Sequence, residues 1–522
     1  MNRPDPPRLM ADIPRRGARD RPQHPAVHFE DLMLTYAMLE ERSNRVANGL
    51  SAWIQERQSR VAVLDFNSAA FAEIFFGTAK IDGATVGINA RLAGAEVLHI
   101  VNDSAAKVLF VGAGHYALVE EIAARFETVA QIVAIDGGHP YWPAYAGWRD
   151  AQPADDPDLE LFESSDVIQL YTSGTTGLPK GVCHTNRSWN LFARAGHEAE
   201  WGSYHADTVT FVCMPLFHVA GFNLLCLTLA GGGTAVITRK SDVAEILRAV
   251  PRYRVSDTLF VPAMISAILA HPDAAATDFS SLRFVCYGAA PIADDLLRRA
   301  RALFGCAFIH LYGLTENLGA GTYLPSEMHR AELGKLRSCG RPYAGAALKI
   351  VDERGAELPA GVVGEILIRC GWIMRGYWRN AAATAETVRD GWLHSGDAGY
   401  LDADGYLYIH DRIKDMIVSG AENVYPAEVE NALMGHPALA DVAVIGVPDD
   451  RWGEAVKAIV VLKPGATLDP ADILEFARRR IAGYKLPKSI DVIDVLPRNA
   501  SGKVLRRELR EPYWQGHARR VH

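Results

Sequence analysis

The chain has 522 residues, which at about 150 per domain allows two to four structural units and a large buried core. Its 62 acidic residues outnumber 54 basic ones, and the net charge of −8 excludes a general polyanion-binding surface, because phosphate-backbone affinity needs a positive excess. With 49% hydrophobic and 22% charged residues, the chain is neither disordered throughout nor fibrous.

Residues 1–24 are rich in Pro and Arg and lack the apolar stretch of a secretory signal, so a loosely ordered arm is expected there. From Leu34 onward, helical patterns alternate with short apolar strands. Residues 36–53 and 71–81 read as helices; residues 60–65, 105–111, 258–261 and 283–286 read as strands. This rhythm argues for α/β layers with mostly parallel sheets. The run 219–230 is the longest stretch poor in polar residues, too short to cross a bilayer, and suits a buried helix followed by a strand. From about Ala346 the strands are short and separated by turns (347–351, 364–369, 406–409), as in a small antiparallel unit. Past Asp411 the pattern is helix 426–434, strands 441–447 and 455–462, and helix 470–481, enough for a small α+β domain. The seven cysteines are scattered and never spaced C-x-x-C, so reduced core thiols in a cytoplasmic protein are expected, with neither a zinc ribbon nor a disulfide framework.

The sharpest local feature is YTSGTTGLPKG over 171–181, after the apolar run 167–170. Glycines free backbone N–H groups to face an anion, hydroxyls donate further hydrogen bonds, and Lys180 brings charge; that combination suits a polyphosphate. It is not a Walker A loop, because Pro179 and Gly181 flank the lysine. Four more strings follow: YGAAP (287–291), YGLTE (312–316), SGD (395–397) and DRIKD (411–415). SGAENVYP (419–426) and PRNASGKV (497–504) complete the set.

Together these strings resemble, in order and spacing, the motifs of the adenylate-forming superfamily of acyl-CoA synthetases, luciferases and peptide-synthetase adenylation domains. The resemblance runs from about Leu34 to Arg510. It implies an α/β fold with a large multi-layer N-terminal domain (two α/β-sheet subdomains and a small β-barrel-like one, residues 25–413) and a small mobile α+β cap (414–522). It also implies a two-step reaction, in which acid and ATP give an acyl-adenylate and pyrophosphate before a thiol displaces AMP.

By the same resemblance, Thr172, Ser173, Gly174, Thr175, Thr176, Gly177 and Lys180 cradle the phosphates. Gly288, Ala289 and Ala290 lie against adenine, and Tyr312, beside Gly313, stacks on it. Thr315 bonds phosphate and Glu316 holds Mg²⁺, an ion that prefers oxygen ligands. Asp397 takes the ribose hydroxyls and Arg412 is a second ribose or phosphate contact; Asp402 and Asp404 read better as turn chemistry. Lys414 is the hinge. Lys503 supplies positive charge where two anions meet, which makes it catalytic together with Thr315 and His218. Gly420, Ala421 and Glu422 line the thiol tunnel; Ala421 replaces the usual second glycine.

The string MPLFHVAG (214–221) resembles the acyl-CoA synthetase version of its motif and has no carboxylate to pair a substrate ammonium. His218, Ala220, Gly221, Gly288, Leu318 and Gly319 are the expected acyl-pocket wall. The resemblance is closest to medium- and long-chain fatty acid and feruloyl- or coumaroyl-type CoA ligases, and both substrate classes stay open. No carrier domain follows Arg510, so CoA is the simplest acceptor; the alternatives are an acyl-AMP ligase loading a separate carrier protein and a non-catalytic nucleotide-binding homologue. Expected ligands are a small carboxylic acid, ATP, Mg²⁺ and CoA, with no nucleic acid and no integral membrane segment.

Overall fold

The computed structural model describes residues 5–172, 179–202, 204–289, 292, 294–412, 415–419, 422–449, 452–499 and 502–515. Two large sheets form the body. The first orders its strands Arg341–Pro342, Thr322–Leu324, Ala307–Tyr312, Phe284–Gly288, Asp257–Phe260, Val209–Val212, Thr234–Ile237, Pro25–Phe29 and Leu32–Thr35; the five pairings from Ala307–Tyr312 to Pro25–Phe29 are parallel and the outer ones antiparallel. The second orders Gly376–Tyr377, Lys180–Thr185, Asp166–Thr172, Ala84–Ile88, Arg60–Leu64, Ala106–Val111 and Gln131–Ala134, parallel over its last five.

Helices sandwiched in this body are mostly apolar on every face, as burial favours, and the charged Glu73 and Lys80 among them are paired. The helix Ala69–Lys80 is buried over its whole length, and in the helix Val219–Ala230 residues 221–229 are buried. That second helix and the following strand Thr234–Ile237 match the reading of the 219–230 run. Among the described residues, no helix is long and apolar enough to cross a membrane. The expected antiparallel unit is a sheet of Ala347–Val351, Gly364–Arg369, Trp392–Leu401, Val388–Arg389 and Leu407–Arg412. The C-terminal unit wraps the long hairpin of Leu439–Asp449 and Gly453–Leu462 with the helices Pro426–Met434 and Pro470–Arg478, over its own core of Ile417, Val429, Val444, Val456 and Ile473. The seven cysteines form no disulfide, and five are buried.

The N-terminal segment departs from expectation. Residues 12–20 form a helix that buries Ile13 and Pro14, so 5–24 is a docked element and not a loose arm. Charge holds it down. Arg15 grips Asp156 with two hydrogen bonds of 2.7 Å, and Asp156 also accepts from Lys80 at 2.8 Å. Lys80 is fully buried and donates to Glu40 at 2.9 Å as well, so the ammonium withdrawn from water is paired on two sides.

Candidate active site

Parallel α/β sheets present ligands at the carboxyl ends of their strands. Here Phe284–Gly288, Ala307–Tyr312, Asp257–Phe260 and Asp166–Thr172 end at one cleft of about 2750 Å³, which the C-terminal unit borders with Gly502 and Lys503. Thr172, Lys180, Gly288, Ala289, Tyr312, Gly313, Thr315, Glu316 and Asp397 all line it. Ser173, Gly174, Thr175, Thr176, Gly177, Ala290, Lys414, Gly420 and Ala421 lie outside the described residues, as do the side chains of Arg412 and Glu422.

Thr172 and Lys180 pair across the hairpin stem, which delivers both to the cleft. Lys180 Nζ sits 4.9 Å from the centroid of the Tyr377 ring, and the Tyr377 hydroxyl donates to Glu316 Oε1 at 2.7 Å. A phenol therefore links the lysine to the carboxylate. Tyr377 is placed by a short strand against Val182, and beneath it buried Asp166 binds both Arg60 and Arg375 at 2.5–2.7 Å. The main chain at Thr315 is held from below, where His184 Nε2 lies 2.7 Å from its carbonyl oxygen. A carbonyl only accepts, so Nε2 carries the proton; burial pushes this imidazole down to about 4 and keeps it neutral.

The turn after Tyr312 is tight. A Cβ at Gly313 would stand 2.2 Å from the Gly319 carbonyl carbon, so only glycine allows the two backbone segments to approach. Ala289 (φ 66°) and Leu318 (φ 55°) adopt the left-handed conformation that non-glycine residues rarely take, both on the cleft wall. Asp397 is buried and accepts from the Tyr312 hydroxyl at 2.8 Å, and its strand register places it opposite Arg412. Asp402 and Asp404 instead clasp Lys335 (2.6 and 2.8 Å), and Asp402 Oδ1 closes its own turn by accepting from Tyr406 N–H. The turn reading of that pair holds.

His218 occupies the N-cap position of the helix Val219–Ala230, with no side-chain capping bond. Asn67 clamps the preceding loop, donating to the Met214 carbonyl (3.0 Å) and accepting from Leu216 N–H (2.8 Å). Burial and nearby Arg91 push His218 down to about 4, and its Nε2 has no hydrogen-bond partner among the described residues. Ala220, Gly288, Leu318 and Gly319 line the cleft with it. Gly221 is a correction. It is buried off the cleft, where a Cβ would lie 2.3 Å from the Pro215 carbonyl oxygen, so its role is close packing and not wall. Sequence reasoning also missed wall residues Phe192, Trp201, Tyr204, Asn223, Leu227 and Tyr343; no local string marks them, because they come together from several elements far apart in sequence.

Lys503 sits in a small hairpin. Its N–H donates to Asn499 Oδ1 and its carbonyl accepts from Asn499 N–H, both at 2.8 Å. Arg498 braces the turn through the Gly502 carbonyl (2.7 Å) and Asp441 (2.6 Å). Gly502 has φ 81°, and a Cβ there would come within 3.2 Å of Val261 Cγ2, so the hairpin tip touches the body beside the cleft.

Family-model comparison matches residues 14–378 to the AMP-binding enzyme family and residues 428–503 to the AMP-binding enzyme C-terminal domain. Among curated proteins, the chain is 40% identical to the fatty acid–[acyl-carrier-protein] ligase ScoC of Streptomyces coeruleorubidus, over 97% of this chain and 96% of that one. It is likewise 40% identical to a feruloyl-CoA synthase of Amycolatopsis sp, over 96% and 98%. Among solved structures, the anthranilate CoA ligase AuaEII in complex with anthranoyl-AMP superposes with a TM-score of 0.90 at 29% identity, covering 98% of both chains.

Proposed function

The chain belongs to the AMP-binding enzyme family as an AMP-forming acid–thiol ligase, and on that premise we propose how its cleft divides the work and which acids it takes. In the first step a substrate carboxylate oxygen attacks the α-phosphorus of ATP, and the bond to pyrophosphate breaks. In the second, the CoA thiol attacks the acyl carbonyl, loses its proton, and AMP leaves.

The observation that carries the reading is the convergence of Lys180, Thr315, Glu316, Asp397 and Lys503, from both units, on one cleft. We assign the phosphates to the 172–180 loop and Thr315, the ribose to Asp397 with Arg412, and the adenine to Tyr312 against 288–290. Lys503 offsets the charge of two approaching anions, the kind of preorganised electrostatic help that is worth most in a water-poor site. Glu316 suits a hard cation: it is a buried carboxylate on the cleft wall, and its partner Tyr377 is a neutral phenol. Mg²⁺ held there would neutralise phosphate charge. Lys414 is the pivot on which Lys503 withdraws, and residues 420–422 then border the path of the thiol.

The string 214–221 contributes no carboxylate to the wall, which favours an acid without an α-amino group. Phe192, Trp201 and Leu227 give it the apolar surface for an aryl, arylalkenoic or medium- to long-chain acyl group. Cysteines without disulfides fit a reducing compartment, the cytoplasm. The test is pyrophosphate and AMP release over fatty, benzoic and cinnamic acids, each with and without CoA; AMP release that ignores CoA for every active acid would refute the CoA assignment.

A further inference from the structure

The hairpin that carries Thr172 and Lys180 runs past its own sheet. On one side the strand Asp166–Thr172 pairs in parallel with Ala84–Ile88, but that ladder ends at Leu170. On the other side Lys180–Thr185 pairs with Gly376–Tyr377 at Val182 and Cys183, and a bond from Trp378 N–H to the Gly181 carbonyl, 2.7 Å, extends the contact. The last two pairs of the stem are Tyr171 with Gly181 and Thr172 with Lys180. Among the described residues, Tyr171 and Thr172 have no strand beside them except this hairpin partner.

A closed ring of side chains takes over the support. The Tyr171 hydroxyl donates to Asp103 Oδ2 at 2.5 Å and accepts from Gln169 Nε2 at 2.9 Å. Gln169 Oε1 accepts from Arg60 Nε at 3.1 Å, and the Arg60 guanidinium lies 3.5 Å from the centroid of the Trp378 ring. The Trp378 indole N–H closes the ring by donating to the Asp103 carbonyl oxygen at 2.9 Å. Arg60 and Gln169 are buried, and Asp166 fixes Arg60 further at 2.5 Å. The ring lies against the stem: a Cβ at Gly181 would stand 2.6 Å from Gln169 Nε2 and 3.0 Å from Tyr171 Cζ. Burial first, and the Asp103 carboxylate second, push the Tyr171 phenol up and keep it a donor.

Asp103 comes from the end of the helix Gly94–Ser104, outside every motif string, and there the ring meets both arms of the phosphate end. Its side chain holds Tyr171, one residue before Thr172. Its main chain holds Trp378, one residue after Tyr377, whose hydroxyl binds Glu316. Resting on the ligase reading above, we propose that Asp103 is a positioning residue for adenylate formation: acting through Tyr171 and Trp378, it holds Thr172 and Lys180 in register with Glu316. A misplacement of about 1 Å at a reacting site costs up to about 10²-fold in rate. The role belongs to the first step, because the acyl-adenylate has already lost pyrophosphate.

The experiment uses the most active acid of the fatty, benzoic and cinnamic panel and compares the wild type with Asp103→Ala, Asp103→Asn, Tyr171→Phe and the Asp103→Ala, Tyr171→Phe double variant, each checked for folding by circular dichroism. In pyrophosphate release, kcat/KM for ATP should fall about tenfold in Asp103→Ala and in Tyr171→Phe, the low end for a hydrogen bond to a charged group, with KM for the acid unmoved. Thioester formation from the preformed adenylate of the same acid and CoA should keep its wild-type rate. The double variant should lose no more than either single one, because both remove the same bond. Asp103→Asn, which keeps an oxygen acceptor, should lose less than Asp103→Ala. Wild-type pyrophosphate release in both single variants, equal losses in the two half-reactions, losses that multiply in the double variant, or an Asp103→Asn as slow as Asp103→Ala would each overturn the proposal and leave the ligase reading standing. Tyr171→Phe removes one oxygen and carries the half-reaction test alone if Asp103→Ala does not fold. No acid-dependent pyrophosphate release from the folded wild type with any acid of the panel counts against the ligase reading and takes the proposal with it.

Discussion

The Tyr312 hydroxyl donates to Asp397 Oδ2 at 2.8 Å, across 85 residues of sequence and between two different sheets. The turn proposed to meet adenine and the carboxylate proposed for the ribose are thereby linked directly. Removing the carboxylate in Asp397→Ala should raise KM for ATP by about 10- to 100-fold, the worth of hydrogen bonds to a charged group. Tyr312→Phe should raise it less, by about 3- to 10-fold. Initial rates against ATP at saturating acid check both; an effect confined to KM for the acid would contradict the assignment.

Tyr377 makes a second positional prediction. Its hydroxyl holds Glu316 Oε1 while Lys180 lies against its ring. Groups behind a metal ligand tune affinity by about 10- to 100-fold. Tyr377→Phe should therefore shift the Mg²⁺ requirement upward by about tenfold, read as the Mg²⁺ concentration for half-maximal pyrophosphate release. A shift in KM for ATP with the Mg²⁺ curve unmoved would separate Tyr377 from the metal.

The docked N-terminal helix predicts a stability effect. Asp156→Ala removes one of the two carboxylates on fully buried Lys80 and the carboxylate that anchors Arg15 outside its own helix. Breaking a buried pair on one side costs about 3 kcal/mol. Lowered thermal stability is expected, with partial recovery in the Lys80→Met, Asp156→Ala double variant. A Tm unchanged by Asp156→Ala would show that apolar packing alone holds the helix.

Acid sensitivity follows from four histidines. Burial pushes His184, His218, His310 and His329 down to about 4, whereas an unfolded histidine titrates near 6.5. Between those values the unfolded chain binds protons that the folded chain refuses, so the stability is present above pH 6.5 and is lost as pH falls toward 4. Each contributes on the order of 1 kcal/mol per pH unit. Asp65, raised to about 7 by burial, acts in the opposite sense, as do Glu40, Glu245 and Asp257, which burial also raises, while His24 and His28, lowered by burial, act with the four. Urea midpoints should drop from pH 7 to pH 5, and His184→Gln should make that drop shallower; an equal slope in the variant would remove His184 from the set.

Much of this was legible because it is local. The helix Val219–Ala230, the strands Ala347–Val351 and Gly364–Arg369 and the start of the helix Pro426–Met434 fall where apolar periodicity and turn residues put them. The motif strings located Lys180, Tyr312, Glu316, Asp397 and Lys503 on one cleft; all but Asp397, which lies mid-strand in Trp392–Leu401, stand at strand ends or in turns. What stayed hidden depends on distant partners. The helix Asp12–Asp20 reads as a Pro- and Arg-rich arm until Asp156 and Lys80 stand beside it. Tyr377, Asn67 and Tyr204 belong to no phosphate- or carboxylate-binding string, and they matter only once another element is folded against them. Gly221 misled because a small residue signals open space or close packing equally well; the carbonyls of Met214 and Pro215 decide for packing.

The central claim is a two-step reaction in which one lysine serves only the first step. The direct measurement is Lys503→Ala assayed on the two half-reactions separately: pyrophosphate release from acid and ATP, and thioester formation from preformed acyl-adenylate and CoA. The account predicts that the first falls by about 10²- to 10³-fold, the cost of losing one preorganised charge or donor, while the second survives. Equal loss in both would contradict it.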